Sequence, residues 1–375
     1  VDDWNYLAAR IVGDGSIEVV ETDLDIDITS IAGNLSAPPT MSGTITNEIK
    51  RLKKDGRPIF EPWNTAILAE ADGQLRGGGI YRKPTFNGSE WELDIVGFSG
   101  YPQGMMYDGA QYFVEVDPLD IFRHIWTHLQ SQPNGNLGVT VDQLKSPVRV
   151  GKELEQVQFT AETSPGVSEV VSFEAGPKKL NWYDTTDLGK EIDDYAKSTP
   201  FDWREDVAWR GDEVGVHIAL GYPTIGTRRS HLTGFVLGTN LATEPSVAQA
   251  DYVNGLHVLG AGEGRDAVRG YAGVADGRLR RVKVVEDKTK KSKTAANAYA
   301  AEVLAATRGQ LTIDTLDVYD HPNAPLQGIQ LGDEYPIFAE MDWATVDGYV
   351  RVVGRADTPG KSDMTTLTVI RSTTP

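Results

Sequence analysis

A chain of 375 residues with 54 acidic against 36 basic side chains carries a formal charge of -18 at neutral pH and a pI near 4.8. Binding a phosphate backbone requires positive charge to release counterions, so the chain as a whole is not expected to bind nucleic acid. The absence of cysteine excludes disulfides, thiolate metal sites and cysteine nucleophiles, and no run of eighteen apolar residues offers a membrane span.

This length predicts two or three packed modules with a sizeable core. Val1 to Arg10 bring acids and Trp4 where a secretory signal needs a basic start and an apolar stretch, so Sec-type export is not expected. With 39 Gly and 19 Pro, turns punctuate the chain as they do in proteins made of many short strands. From Asp23 to Ile28, aspartate alternates with an aliphatic residue. That period of two predicts a half-buried strand with Leu24, Ile26 and Ile28 inward and Asp23, Asp25 and Asp27 in an acidic row outside. Further strands are predicted at 41–48, 65–72, 78–83 and 91–98, with Asp72-Gly73 and Asn87-Gly88 as hairpin turns.

A helix is predicted from Asp117-Pro118, where Asp117 suits the N-cap and Pro118 the first helical position. It carries Phe122, Ile125, Trp126 and Leu129 on one side and ends before Pro133-Asn134-Gly135. Residues 137–180 read as irregular with strand-like fragments. A second helix around Leu188, Ile192 and Tyr195 leads to a hairpin over 201–209 and 214–220, turning at Gly211-Asp212. The last third reads as strands at 252–260, 267–274 and 279–285, a helix over 295–308 stopped by Gly309, and strands at 311–319, 334–338, 348–355 and 365–370. The expected fold is α+β and predominantly β, with two small antiparallel barrel-like domains and connecting helices. Its expected divisions are a first β-barrel over 1–115, a helix-containing connecting region with a hairpin over 116–240, and a second β-barrel with a packed helix over 241–375.

Two stretches carry a resemblance. The first runs Val116-Asp117-Pro118-Leu119-Asp120-Ile121-Phe122-Arg123-His124-Ile125-Trp126-Thr127-His128-Leu129-Gln130, with Pro133-Asn134-Gly135-Asn136-Leu137-Gly138 after it. The second is Tyr252-Val253-Asn254-Gly255-Leu256-His257-Val258-Leu259-Gly260-Ala261-Gly262-Glu263-Gly264, followed by the Ala-rich helix and Leu331-Gly332-Asp333-Glu334-Tyr335-Pro336-Ile337. The chain resembles the tail hub and minor tail proteins of tailed bacteriophages, especially siphoviruses of actinobacteria, and is related in that resemblance to baseplate hub proteins. The likeness lies more in the order of elements than in identical residues.

The resemblance implies a structural virion protein of the tail tip, joining tube to tip around a DNA exit channel used in ejection. It implies two barrel-like domains and homotrimers with pseudo-sixfold symmetry, assembled in the bacterial host cytoplasm. Implied partners are further copies of itself, a distal tail or tail tube protein, the tape measure protein, and other minor tail or receptor-binding proteins. DNA passes through the lumen without specific binding. No catalytic residue, cofactor or metal is implied, and no wall-degrading region is expected within these residues. Two alternatives remain: an adhesin binding host surface sugars through Trp4, Trp63 or Trp343, and a cell-wall-degrading hydrolase.

The residues themselves give weak chemistry. His124 and His128 have the i, i+4 spacing of a zinc pair, but Ile125 stands where a metalloprotease helix needs glutamate; they are expected on a solvated or interface face opposite Phe122, Trp126 and Leu129. Gly260 to Gly264 falls one residue short of the dinucleotide fingerprint, and Gly97-Phe98-Ser99-Gly100 lacks the final glycine of a nucleophile elbow. The acid clusters Glu191, Asp193, Asp194 and Asp202, Glu205, Asp206 offer glycosidase-like carboxylates, though in so acidic a chain such neighbours are usually solvated. Eight basic residues, Arg278, Arg280, Arg281, Lys283, Lys288, Lys290, Lys291 and Lys293, stand against Glu286 and Asp287. They are read as a solvated edge or as an interface patch for an acidic neighbour, with 286–293 a mobile loop. Given a DNA passage, Asp23, Asp25 and Asp27 are expected to face it, because an acidic wall lets the polyanion slide.

Overall fold

The computed structural model describes residues 4–151, 155–164, 167–175, 177–184, 187–199, 201–230, 233–245, 247–249, 252–262, 267–287, 290, 292–307, 311–360 and 363–372. Strand dominates, as the composition predicts. The N-terminal strands are β1 (Trp4–Ile11), β2 (Ile17–Glu21), β3 (Asp27–Asn34), β4 (Ala37–Thr46), β5 (Thr65–Ala71), β6 (Gln74–Tyr81) and β7 (Glu90–Val96). After them come α1 (Pro118–Ser131), α2 (Leu188–Ser198) and the hairpin β8 (Asp202–Arg210) and β9 (Glu213–Gly221). The C-terminal elements are β10 (Gly255–Leu259), β11 (Arg269–Gly273), β12 (Val282–Glu286), α3 (Lys293–Thr307), β13 (Thr315–Tyr319), β14 (Glu334–Met341), β15 (Ala344–Asp357) and β16 (Met364–Arg371).

One large sheet joins the two ends of the chain. Its order runs from Phe235–Val236 through β14, β15, β3, β4, β7, β6, β5 and β1 to β2, with β16 pairing both β15 and β13. The seam is the antiparallel pairing of β15 with β3, from Gly354 opposite Asn34 to Asp357 opposite Ile31. The N-terminal part of the sheet is buried on both faces, so β5 reads as a nearly unbroken apolar run rather than as an alternation. On one face, Tyr6, Ala8, Ile67 and Ala69 pack with Leu24, Ile26, Ile28, Ile59 and Phe60. On the other, Leu7, Ala9, Ala66 and Leu68 pack beneath α1, α2 and the β8–β9 hairpin.

Helix α1 is placed by its caps. The buried Asp117 carboxylate accepts the Leu119 N–H at 3.0 Å, and also the N–H and hydroxyl of Ser146 at 2.6 and 2.8 Å. Phe122, Ile125, Trp126 and Leu129 are all buried, as their helical spacing predicts.

Several elements differ from the sequence reading. Residues 23–26 make no ladder: β2 ends at Glu21, the Leu24 N–H reaches the Tyr6 carbonyl, and pairing resumes only at Asp27. The alternation still sorts burial, with Leu24, Ile26 and Ile28 inside and the three aspartates exposed. The stretch read as irregular contains the long antiparallel hairpin Glu155–Ser164 and Val167–Ala175. Strands β10, β11 and β12, read as part of the C-terminal barrel, form a sheet of their own with β10 parallel to β12. Helix α3 lies on it through Ala296, Ala300 and Leu304 against Leu256 and Val258. Gly270 allows this approach, since a Cβ there would stand 2.4 Å from the Ala296 carbonyl carbon.

Candidate functional site

A cleft of about 300 Å³ lies along the seam, between β3, β4, β6, β8 and the segment 327–331. Two arginines build its walls in the same way. Arg204 holds Asp206, two residues along β8, at 3.0 Å and donates to the Leu331 carbonyl at 3.0 Å. Arg355 holds Asp357, two residues along β15, at 2.9 Å and donates to the Leu326 carbonyl at 2.7 Å. The loop 326–331 is thus gripped by charge-assisted bonds from β15 of the large sheet and from β8 of the separate hairpin sheet.

Glu205 reaches across the same cleft from β8. Its carboxylate accepts the Phe98 N–H at 3.1 Å and the Ser99 N–H at 2.5 Å. Burial pushes its pKa up to about 7, although these N–H donors pull the other way. Ser99, the serine of the elbow-like stretch, is itself buried. The expected acid cluster therefore splits into structural partners: Asp202 bound by Arg351, Asp206 by Arg204, and Glu205 by backbone amides. In the other cluster, Glu191 pairs with Lys178 at 3.0 Å. Such an arrangement fixes strands and loops to one another.

A pH signature follows from Glu205. Unfolded, it loses its proton near the usual 4.5; folded, it keeps the proton up to about 7. Across that window the native state binds more protons, so its stability falls as pH rises from about 4.5 to about 7. Relative to Glu205→Gln, the wild type is expected to lose on the order of 2 kcal/mol between pH 5 and pH 8. Urea midpoints of both chains at the two pH values check this; parallel pH profiles would refute it.

The histidines are not on a solvated face. His124 and His128 flank the ring of Tyr107, whose hydroxyl lies 2.8 Å from His124 Nε2, and His128 Nε2 is 2.6 Å from Asp108. Burial, and secondly His128, hold the His124 pKa below its usual value. No group of three or more metal-ligating side chains occurs among the described residues.

The three aspartates Asp23, Asp25 and Asp27 are exposed side by side, spaced by alternation along one extended stretch. Of the basic patch, Arg278, Arg280, Arg281, Lys283 and Lys293 are exposed. Lys290 is tied to Asp287 at 3.4 Å and lies over the Tyr299 ring. Lys288 and Lys291 lie outside the described residues, as do Thr289 within the expected loop and Glu263 and Gly264 in the glycine stretch. Trp63 and Trp343 are 49% and 63% exposed, whereas Trp4 is partly buried with β1.

The sequence reading passed over two features. Residues 51–57 include Arg51, Lys53, Lys54 and Arg57 around an Asp55-Gly56 turn, and all are exposed. The tip of β14–β15 carries Glu340, Asp342 and Asp347, also exposed. The run of cations and the Asp-Gly turn were legible signals of the first. The second carries no run, since register alone brings Asp347 opposite Phe338.

No family model and no curated protein matches this sequence. Solved structures do match its fold. The 43 kDa tail protein of prophage MuSo2 from Shewanella oneidensis is 11% identical, with a TM-score of 0.54 over 98% of each chain. The prophage tail protein gp18 from Listeria monocytogenes EGD-e is 11% identical, with a TM-score of 0.51 over 99% of this chain and 95% of that one. The chain thus shares its fold with prophage tail proteins from end to end.

Proposed function

We propose that this chain is a structural component of a phage tail, acting as the hub at the tail tip without catalysis of its own. The observation that carries the reading is the end-to-end fold match, with both chains covered almost completely. The continuous sheet supports it, because β15–β3 pairing seats the two ends of the chain side by side in one framework.

In this reading each end of the sheet curls into a barrel-like half. Three chains close a ring of six such halves around a passage for DNA, with tube, tape measure and receptor-binding proteins as neighbours. The exposed row Asp23, Asp25 and Asp27 lines that passage, where repelling phosphates lets DNA slide. A closed cyclic ring repeats the row in every copy. The solution mass of the purified chain tests this: a species of three chains is expected, with a central hole in negative-stain images. A protein that stays monomeric at high concentration would refute the ring. The three aspartates on the outer rim of an imaged ring would refute their role alone.

A further inference from the structure

Two exposed patches of opposite charge lie in different parts of the chain, one on a small separate hairpin and one at the tip of β14–β15. The first lies between β4 and β5, where Lys53–Lys54 pairs with Arg57–Pro58 in a small hairpin that joins no strand of the large sheet. Lys54 stands directly opposite Arg57, a like-charge pair that costs such a marginal hairpin stability. Arg51, Lys53, Lys54 and Arg57 are exposed, stand with one acid, Asp55, within residues 51–58, and form no ion pair among the described residues.

Apolar surface accompanies the charge. Leu52 is 37% exposed within the patch. Trp63 lies close by: its N–H donates to the Tyr81 carbonyl at 2.8 Å, and Lys50 at the hairpin's base stands 5.5 Å from the Tyr81 ring. Trp63 also has a φ of +64°, in the left-handed region that a bulky residue occupies only under strain. Glycine or asparagine would satisfy that backbone more easily, and the indole is half out in solvent.

The second patch is the tip of β14–β15. Phe338, 44% exposed, and Glu340 point outward from β14, Asp342 and Trp343 form the turn, and Asp347 stands opposite Phe338. Residues 235–236 pair with β14 at Ile337 and Phe338 and the Leu237 N–H reaches the Phe338 carbonyl, which leaves the Ala339–Met341 end without a strand partner on that side among the described residues. Glu340, Asp342 and Asp347 form no ion pair among the described residues. Cations with Leu and Trp at the hairpin thus match acids with Phe and Trp at the β14–β15 tip. Tryptophan and arginine are the side chains that most often anchor protein interfaces.

We infer that the Lys53–Arg57 hairpin with Trp63 docks on the Phe338–Asp347 tip of a second copy of this chain. Such a contact joins two different patches and so links copies head to tail, forming a ring where the rotation closes. The inference rests on the ring reading and deepens it, naming the surfaces by which neighbours meet.

The test is self-association of the full chain by sedimentation in about 50 mM salt, where surface charges are least screened. Lys53→Glu/Lys54→Glu/Arg57→Glu and Glu340→Lys/Asp342→Lys/Asp347→Lys should each weaken association roughly 100-fold, and a chain carrying all six should recover most of the loss. Trp63→Gly should raise the unfolding temperature by relieving strain while weakening association. Unchanged association in either triple variant, failure of the six-fold variant to recover, or a wild type that never associates would overturn the inference. A trimer indifferent to both charge sets would spare the ring and remove this surface. A charge-dependent contact that builds dimers or open filaments would spare the surface and remove the three-chain ring.

Discussion

Trp126→Ala is expected to lower the unfolding free energy by about 3–5 kcal/mol, a large share of a stability that is typically about 5–15 kcal/mol. Trp126 is 1% exposed in the middle of α1, in the core that also receives Leu7, Leu68, Trp203 and Ile218 from four strands. Truncation removes the largest buried side-chain type and leaves a hole that the surrounding strands cannot collapse into without moving the sheet. Its indole N–H meets no acceptor among the described residues, a cost that phenylalanine does not incur. Trp126→Phe should therefore remain within roughly 1–1.5 kcal/mol of the wild type. Urea denaturation of the three chains checks both values. Equal losses from Ala and Phe would refute the account in which packing volume holds the site.

Local signals in the sequence located this helix well, and long-range ones were silent. Asp117-Pro118 and the spacing of Phe122, Ile125 and Trp126 are contained within one helix, so its start and buried face could be read directly. The alternation at Leu24, Ile26 and Ile28 gave burial correctly but not pairing, since an extended chain alternates whether or not a neighbour bonds to it. The seam between β3 and β15 was invisible, because nothing near Asn34 announces Gly354. Likewise the parallel pairing of β10 with β12 depends on a crossover through β11 that separates those strands into their own sheet. The cover over His124 and His128 was silent for a related reason: Tyr107 comes from outside the helix that carries them. Charge was legible as composition, while its lack of partners at Lys53 or Glu340 needed the fold.

Arg351→Ala is expected to cost about 3–5 kcal/mol, because it removes one side of a mostly buried ion pair and leaves the other side uncompensated. The guanidinium reaches Asp202 at 2.5 Å, the Ile225 carbonyl at 2.9 Å and the Gly332 carbonyl at 3.1 Å. Asp202 in turn accepts the Ile225 N–H at 3.1 Å. One side chain on β15 thereby ties the start of β8 to the turns at 225 and 332. Those turns are themselves tight: Gly226 and Gly332 both have positive φ, and a Cβ on Gly226 would stand 2.2 Å from the Gly332 carbonyl carbon. Asp202→Ala should cost a similar amount, since it strands the arginine instead. Arg351→Met combined with Asp202→Leu should cost clearly less than the sum of the two alanine variants, because a pair removed together leaves no lone buried charge. Strict additivity in chemical denaturation would show that the two side chains act independently, and that the β8–β9 hairpin is held to β15 by packing alone.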